Sequence, residues 1–139
     1  MKITYKFYPE RSLLVDVVEG KTVFDDLRDI FLYFSNPELF PPYHLVLSDI
    51  TKCELDVKLE DITAFGNLIA GKGITPEFRW AIFSSGAKTT AMSIMLENIP
   101  GMNDQARVFT SLGGCANFLG VNFSDEELKD PDYKVFREV

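Results

Sequence analysis

Apolar residues along this chain switch repeatedly between two spacings, the alternation of a strand and the three-and-four period of a helix. That switching is what most narrows the fold. In Ile3-Thr4-Tyr5-Lys6-Phe7 apolar residues alternate with Thr and Lys, which predicts a half-buried strand. Pro9-Glu10-Arg11-Ser12 reads as a turn. Residues 13–18, rich in β-branched side chains and broken only by Asp16, predict a second strand that pairs with the first as a hairpin and ends at Gly20.

Thr22 stands three residues before Asp25, the spacing of a helix-capping pair. Phe24, Leu27, Ile30, Phe31 and Phe34 follow as one aromatic-rich helical stripe, closed by Asn36-Pro37. After the stiff connection Leu39-Phe40-Pro41-Pro42, residues 44–50 read as a buried strand. Residues 57–70 return to the helical period, with Asp56 as candidate N-cap and Gly71-Lys72-Gly73 as the stop. Residues 78–83 predict a strand, and Met92, Met95, Leu96 and Ile99 mark a helix that closes before Pro100-Gly101. Arg107-Val108-Phe109 is a short last strand, followed by a helix through Leu112, Cys115, Phe118 and Leu119 to Gly120. A hairpin followed by repeated helix–strand units predicts an α/β fold, with a mostly parallel sheet of about five strands and right-handed crossovers.

At 139 residues this is one domain, able to bury a core without metals or disulfides. Residues 1–120 carry the fold and 121–139 read as an acidic C-terminal appendage with a short helix. There Ser124 and Glu127 have capping-box spacing and Pro131 stops the turn. Residues 124–132 hold five carboxylates against one lysine, which reads as a solvated face or, alternatively, a docking tail.

The formal charge of −7, with basic residues scattered from Lys2 to Arg137, opposes nucleic acid and anionic membrane surfaces. No apolar run is long enough to span a bilayer. Lys6, Glu10 and Arg11 interrupt what would be the apolar core of a signal peptide, so the chain is expected in the cytoplasm. Cys53 and Cys115 lie outside any CxxC spacing and read as reduced thiols filling small apolar sites. With His44 as the sole histidine, neither a metal nor another cofactor is expected.

The run Val108-Phe109-Thr110-Ser111-Leu112-Gly113-Gly114-Cys115-Ala116-Asn117-Phe118-Leu119-Gly120, together with the order of elements, resembles bacterial domains of the SpoIIAA-like group, which are related to the STAS domains of anti-sigma factor antagonists. The similarity covers about residues 1–120. It implies a β-α superhelix of four or five strands with the hairpin strand at one edge. In anti-sigma factor antagonists an Asp-containing turn after a central strand leads to a phosphorylatable serine at a helix start, where the dipole and unpaired N–H groups favour a phosphate. The matching region here is Ser48-Asp49-Ile50-Thr51-Lys52-Cys53-Glu54-Leu55-Asp56-Val57-Lys58-Leu59. Asp49 and Asp56 fit the acidic positions, and the serine's place falls on Val57 or Lys58, neither of which takes a phosphate ester. Asp49, Thr51, Asp56 and Lys58 are nonetheless candidates for a binding surface at that helix start.

A second candidate is Ser84-Ser85-Gly86-Ala87-Lys88-Thr89-Thr90, a polar strand-to-helix junction where Ser84, Ser85 and Lys88 could hold an anion. It is not a P-loop, because Ala87 precedes Lys88 and Ala81 occupies the other glycine position. Capping of the helix by the serines is the simpler reading. His44 lies at the opposite end of its strand from these serines, and no G-x-S-x-G elbow is present, so no nucleophile has a base. Pairs such as Asp25 with Asp29 and Glu60 with Asp61 read as solvated helix faces, and Asp49 either caps a turn or binds a ligand.

The 12 Phe, five Tyr and one Trp mostly fall at core spacing. Leu14, Val18, Val46, Ala81 and Phe83 alternate with Val15, Val17, Leu45, Leu47, Trp80 and Ile82, so both sheet faces are apolar. A face not covered by helices needs a partner chain or an apolar ligand. The leading expectation is therefore a non-catalytic protein-interaction or regulatory module, with a protein or a second copy as partner. A small-molecule or lipid binder with an apolar pocket is the alternative. An enzyme using Asp49, Ser84, Ser85 and Lys88 stands third.

Overall fold

The alternating residues at the start of the chain do form a hairpin. In the computed structural model of this protein, which describes residues 1–72, 74–86, 99 and 104–139, β1 (Lys2–Tyr8) pairs antiparallel with β2 (Leu13–Val23). A single 3-10 turn, Pro9–Arg11, joins them and ends in Ser12 at a left-handed φ of 51°. In that pose Ser12 meets the next strand. Its carbonyl accepts from Leu45 N at 3.1 Å and its hydroxyl oxygen from His44 N at 3.2 Å.

Gly20 does not end β2, which continues to Val23. The glycine adopts φ +83°, and a Cβ there would lie 3.1 Å from the Cα of Met1, so it lets the strand pass under the chain start. β3 (Leu45–Asp56) likewise runs beyond the expected end at Ile50. Val17 stands opposite Asp49, but Glu19 stands opposite Lys52, so Ile50 and Thr51 together face Val18 in a bulge. The extra residue shifts the phase of alternation. Val46 and Ile50 before the bulge, and Cys53 and Leu55 after it, all belong to one core.

Among the described residues the remaining elements are α1 (Phe24–Phe34), α2 (Leu59–Ala70), β4 (Arg79–Phe83), β5 (Ala106–Phe109), α3 (Leu112–Leu119), α4 (Asp125–Leu128) and β6 (Lys134–Glu138). The sheet order is β5-β4-β3-β2-β1-β6, with β2 to β5 parallel and β1 antiparallel to both neighbours. Among the described residues the sheet thus has six strands where about five were expected, and β1 is interior rather than at the edge. The helix expected through Met92, Met95 and Leu96 lies outside the described residues, as do Gly73, Ala87, Lys88, Thr89 and Thr90. Ile99 is described and is buried in the core.

The acidic C-terminal segment is a solvated face only in part. Two of its five carboxylates find cations on the hairpin side, with Lys6 Nζ 2.8 Å from Asp130 and Arg11 Nη2 2.6 Å from Glu127, while Asp125, Glu126 and Asp132 are exposed. These partners are far away in sequence, which is why the local charge run misleads. The short helix α4 does carry the capping box, Glu127 N donating to Ser124 Oγ at 3.2 Å. Beyond it, β6 joins the sheet and is clamped to α1. Arg137 donates to Asp26 and to Asp29 at 2.9 Å each, while Phe136 packs on Tyr33.

Both helix starts are capped differently from the sequence expectation. At α1 the cap position is Val23, whose N–H donates to the Asp26 carboxylate at 3.1 Å, while buried Thr22 donates to Gly20 O. At α2 it is Lys58, whose N–H donates to Asp61 at 2.8 Å, and Asp56 remains exposed at the end of β3. In each case the carboxylate three residues in reaches back to the orphan donor.

Helices cover both sides of the sheet. Leu14, Val18, Val46 and Ile82 pack toward α1 and α2, with Ile30, Phe34 and Ile69. Leu13, Val15, Leu45, Leu47 and Ala81 pack toward α3, with Leu112, Cys115 and Leu119. Trp80 stands opposite Val46 in register, so Trp80 and Ile82 share the face of Leu14 and Val46, and not that of Val15 and Leu47 as the sequence suggested. Both cysteines are buried, Cys53 on the first face and Cys115 on the second.

Gly20→Ala forces a left-handed backbone on a residue with a Cβ beside Met1. It is expected to lower the unfolding free energy in urea by about 1–3 kcal/mol. Arg137→Ala removes the clamp between β6 and α1. Amide exchange should quicken across β6 and remain slow in β3 and β4, as followed by mass spectrometry.

Candidate functional site

Asp16 interrupts an otherwise apolar strand, and in the parallel pairing of β2 with β3 it falls directly opposite Ser48. Both side chains project toward α1 and α2. Ser48 Oγ donates to Asp16 Oδ1 at 2.6 Å, and the indole Nε1 of Trp80 on β4 donates to Ser48 Oγ at 3.0 Å. The result is a hydrogen-bonded chain of three side chains across three adjacent strands. Asp16 is 5% exposed, and among the described residues no cation pairs with it. Burial pushes its carboxyl up to about 7. The Asp49 charge adds to that rise, and the bonds from Ser48 and from its own backbone oppose it.

Over this floor lies a cavity of about 110 Å³. Phe24, Leu27 and Phe31 of α1 and Asp61, Ile62 and Phe65 of α2 wall it, with Val18, Ile50, Ile82 and Trp80 from the sheet. Phe65 is the hub of the wall, with its ring centroid 6.3 Å from that of Phe24, 5.6 Å from Phe31 and 6.3 Å from Trp80. The polar side chains on the lining are Asp16, Ser48, Asp61 and the Trp80 indole, and among the described residues no Lys, Arg or His joins them. A second cavity, about 410 Å³, continues on the same face toward Pro37, Phe40 and Tyr43. The two share Phe31, Phe34, Val46 and Trp80 as a common wall.

The residues that sequence reasoning nominated lie elsewhere. Asp49 is buried and points to the α3 face, where Cys115 feels its charge. Its Oδ1 accepts from Thr51 N at 2.9 Å and Thr51 Oγ1 at 2.7 Å, so it satisfies the backbone within the β3 bulge. Ser85 Oγ donates to Thr51 O at 3.4 Å, which brings Asp49, Thr51 and Ser85 to one sheet edge. Ser84 is fully buried, with its hydroxyl unpartnered among the described residues. Asp56 and Lys58 lie apart, at the start of α2. Lys88 is outside the described residues. Of these, none of the described side chains lines the cavity.

Asp16, Ser48, Trp80 and Asp61 carried no functional weight in the sequence. The available signal was a polar residue in the middle of each of two apolar strands, and pairing those strands in parallel would have joined them. Asp61, read as part of a solvated face, instead lines the cavity and caps α2. Among the described residues no group of three His, Cys, Asp or Glu side chains is arranged to hold a metal ion, and no helix is long and apolar enough to cross a membrane.

Asp16 binds its proton more tightly in the folded than in the unfolded chain, so its contribution to stability is full below about pH 4 and is lost as the pH rises to about 7. Urea unfolding of wild type and Asp16→Asn across that range should show a difference that changes by roughly 4 kcal/mol and levels off above it.

No protein-family model matches the sequence, and no curated protein matches it. Among solved structures the chain is similar to an uncharacterized protein of the DUF3478 family, with a SpoIIAA-like fold, from Shewanella loihica PV-4. The TM-score is 0.57 at 19% identity, over 86% of this chain and 95% of that one, which is a likeness of fold. With its parallel strands flanked by helices and that likeness over most of its length, the chain has a SpoIIAA-like α/β fold.

Proposed function

We propose that this chain is a non-catalytic binding module that takes a small, mostly apolar molecule between its sheet and helices α1 and α2. The observation that carries the reading is the cavity walled by Phe24, Phe31, Phe65 and Trp80, with Asp16 and Ser48 at its floor. A position that served packing alone would do better with valine, because burying a carboxyl costs free energy. Apolar walls with a few convergent polar groups are the usual form of a small-molecule site.

The regulatory and protein-interaction reading is the coarser expectation of the fold. A specific link to the cavity supports it here. α2 follows directly on Asp56 and Lys58, the surface that the SpoIIAA resemblance marks, and its first two turns supply Asp61, Ile62 and Phe65 to the cavity wall. A ligand in the cavity therefore bears on the helix whose start would meet a partner.

Trp80 is the sole tryptophan in the sequence and lines the cavity, so its fluorescence reports occupancy. Titration with n-alkanols of increasing length should give saturable changes in Trp80 emission. Affinity should rise about fourfold per methylene, about 0.8 kcal/mol, until the cavity is full. Leu27→Phe, which intrudes on the cavity from α1, should weaken binding while the protein stays folded. Absence of a saturable signal, or equal binding by the variant, would count against the cavity as a site.

A further inference from the structure

Resting on the cavity as a binding site, we infer that its ligand carries a protonated amine on an apolar chain, with Asp16 as the counter-ion at the cavity floor. A carboxyl buried in an apolar site is satisfied by a proton or by a cation. Among the described residues, the groups around Asp16 supply no cation. From β3 come Ser48, which donates to it, and Asp49, whose carboxylate lies on the other face. From β4 comes Trp80, a donor to Ser48. From α2 comes a second carboxylate, Asp61. Tyr43, whose phenol burial holds up at about 12, stays neutral and donates to Phe34 O. On α1 the charged residues Asp25, Asp26, Arg28 and Asp29 engage one another or Arg137, and none lines the cavity.

The described lining is thus acidic and aromatic, the combination that suits an ammonium group. The carboxylate pairs with it, and the faces of Phe24, Phe31, Phe65 and Trp80 attract it through their quadrupoles. A carboxylate ligand would be repelled by both Asp16 and Asp61. The floor cavity, about 110 Å³, holds a head group and little more. A linear tail would pass along Phe31 and Trp80 into the second cavity of about 410 Å³. When the ammonium enters below the titration of Asp16, the carboxyl gives its proton to solvent, so one cation replaces another and the cavity's charge is balanced.

The experiment compares hexylamine, hexanol and hexanoic acid by Trp80 fluorescence and calorimetry at pH 5 to 8, with wild type, Asp16→Asn and Ser48→Ala. At pH 8 wild type should bind hexylamine about 10- to 100-fold tighter than hexanol, and hexanoic acid weakest. Amine affinity should fall toward tenfold per unit below the Asp16 midpoint, with proton release visible as a dependence on buffer ionisation. Asp16→Asn should bind hexanol as before and lose the amine preference. Ser48→Ala removes a bond that favours the ionised carboxyl, so it should keep the preference and move the midpoint to higher pH. This second variant carries the test should Asp16→Asn fail to fold. Equal binding of amine and alcohol, or a preference that survives Asp16→Asn, overturns the amine reading and leaves the cavity reading intact. So does alcohol binding that strengthens toward pH 5, which would make protonated Asp16 a donor to neutral ligands. Failure of all three compounds to bind overturns both.

Discussion

A carboxyl in the middle of a parallel sheet has to be satisfied by whatever the neighbouring strand places beside it, and the pairing of β2 with β3 makes that choice for Asp16. Leu13 opposite Leu45 sets the register, and three residues on it brings Asp16 to Ser48. The start of that register is held by Ser12, whose left-handed backbone turns its carbonyl toward Leu45 N at the start of β3 and its hydroxyl toward His44 N just before it. A slip of one residue would turn the apolar side chains of β3 to the wrong faces. It would also leave the Asp16 carboxyl without its donor. Core formation and polar satisfaction therefore demand the same alignment, the kind of agreement between levels that gives a chain a single fold.

The architecture was largely legible because it depends on period. Hairpin, α1, α2, β4, β5 and α3 are all marked by apolar spacing, and the resemblance around Val108-Phe109 points to the same fold. What could not be read was whatever depends on pairing between distant segments. The bulge at Ile50 and Thr51 moves the apolar phase of β3 from even to odd positions, so a reading by strict alternation stops at Ile50 although the strand goes on to Asp56. The segment from α4 to β6 is placed by Lys6 and Arg11, which hold Asp130 and Glu127, and by Asp26 and Asp29, which hold Arg137, none of them near it in sequence.

The site was illegible for the same reason. Polar residues cluster in sequence at sheet edges and helix starts, but Asp49 there is occupied with the N–H and hydroxyl of Thr51 at the bulge. The polar groups of the cavity come singly, one from each of β2, β3, β4 and α2. Only the register assembles them. Each looks alone like a minor imperfection in an apolar segment, and together they give an aromatic cavity a directional floor.

The placement of β6 bears on the order in which the molecule assembles. The β1–β2 hairpin closes over a short turn, whereas β6 pairs with β1 across nearly the whole chain, Lys2 lying opposite Glu138. Contacts of such separation carry a large loop-closure entropy and form late in a folding reaction. Until β6 arrives, β1 is a bare sheet edge with unpaired backbone groups, open to pairing with another chain. The clamp of Arg137 on Asp26 and Asp29 thus does more than fasten a tail. By holding β6 against α1 it shields the edge that a nascent or partly unfolded chain would expose to aggregation.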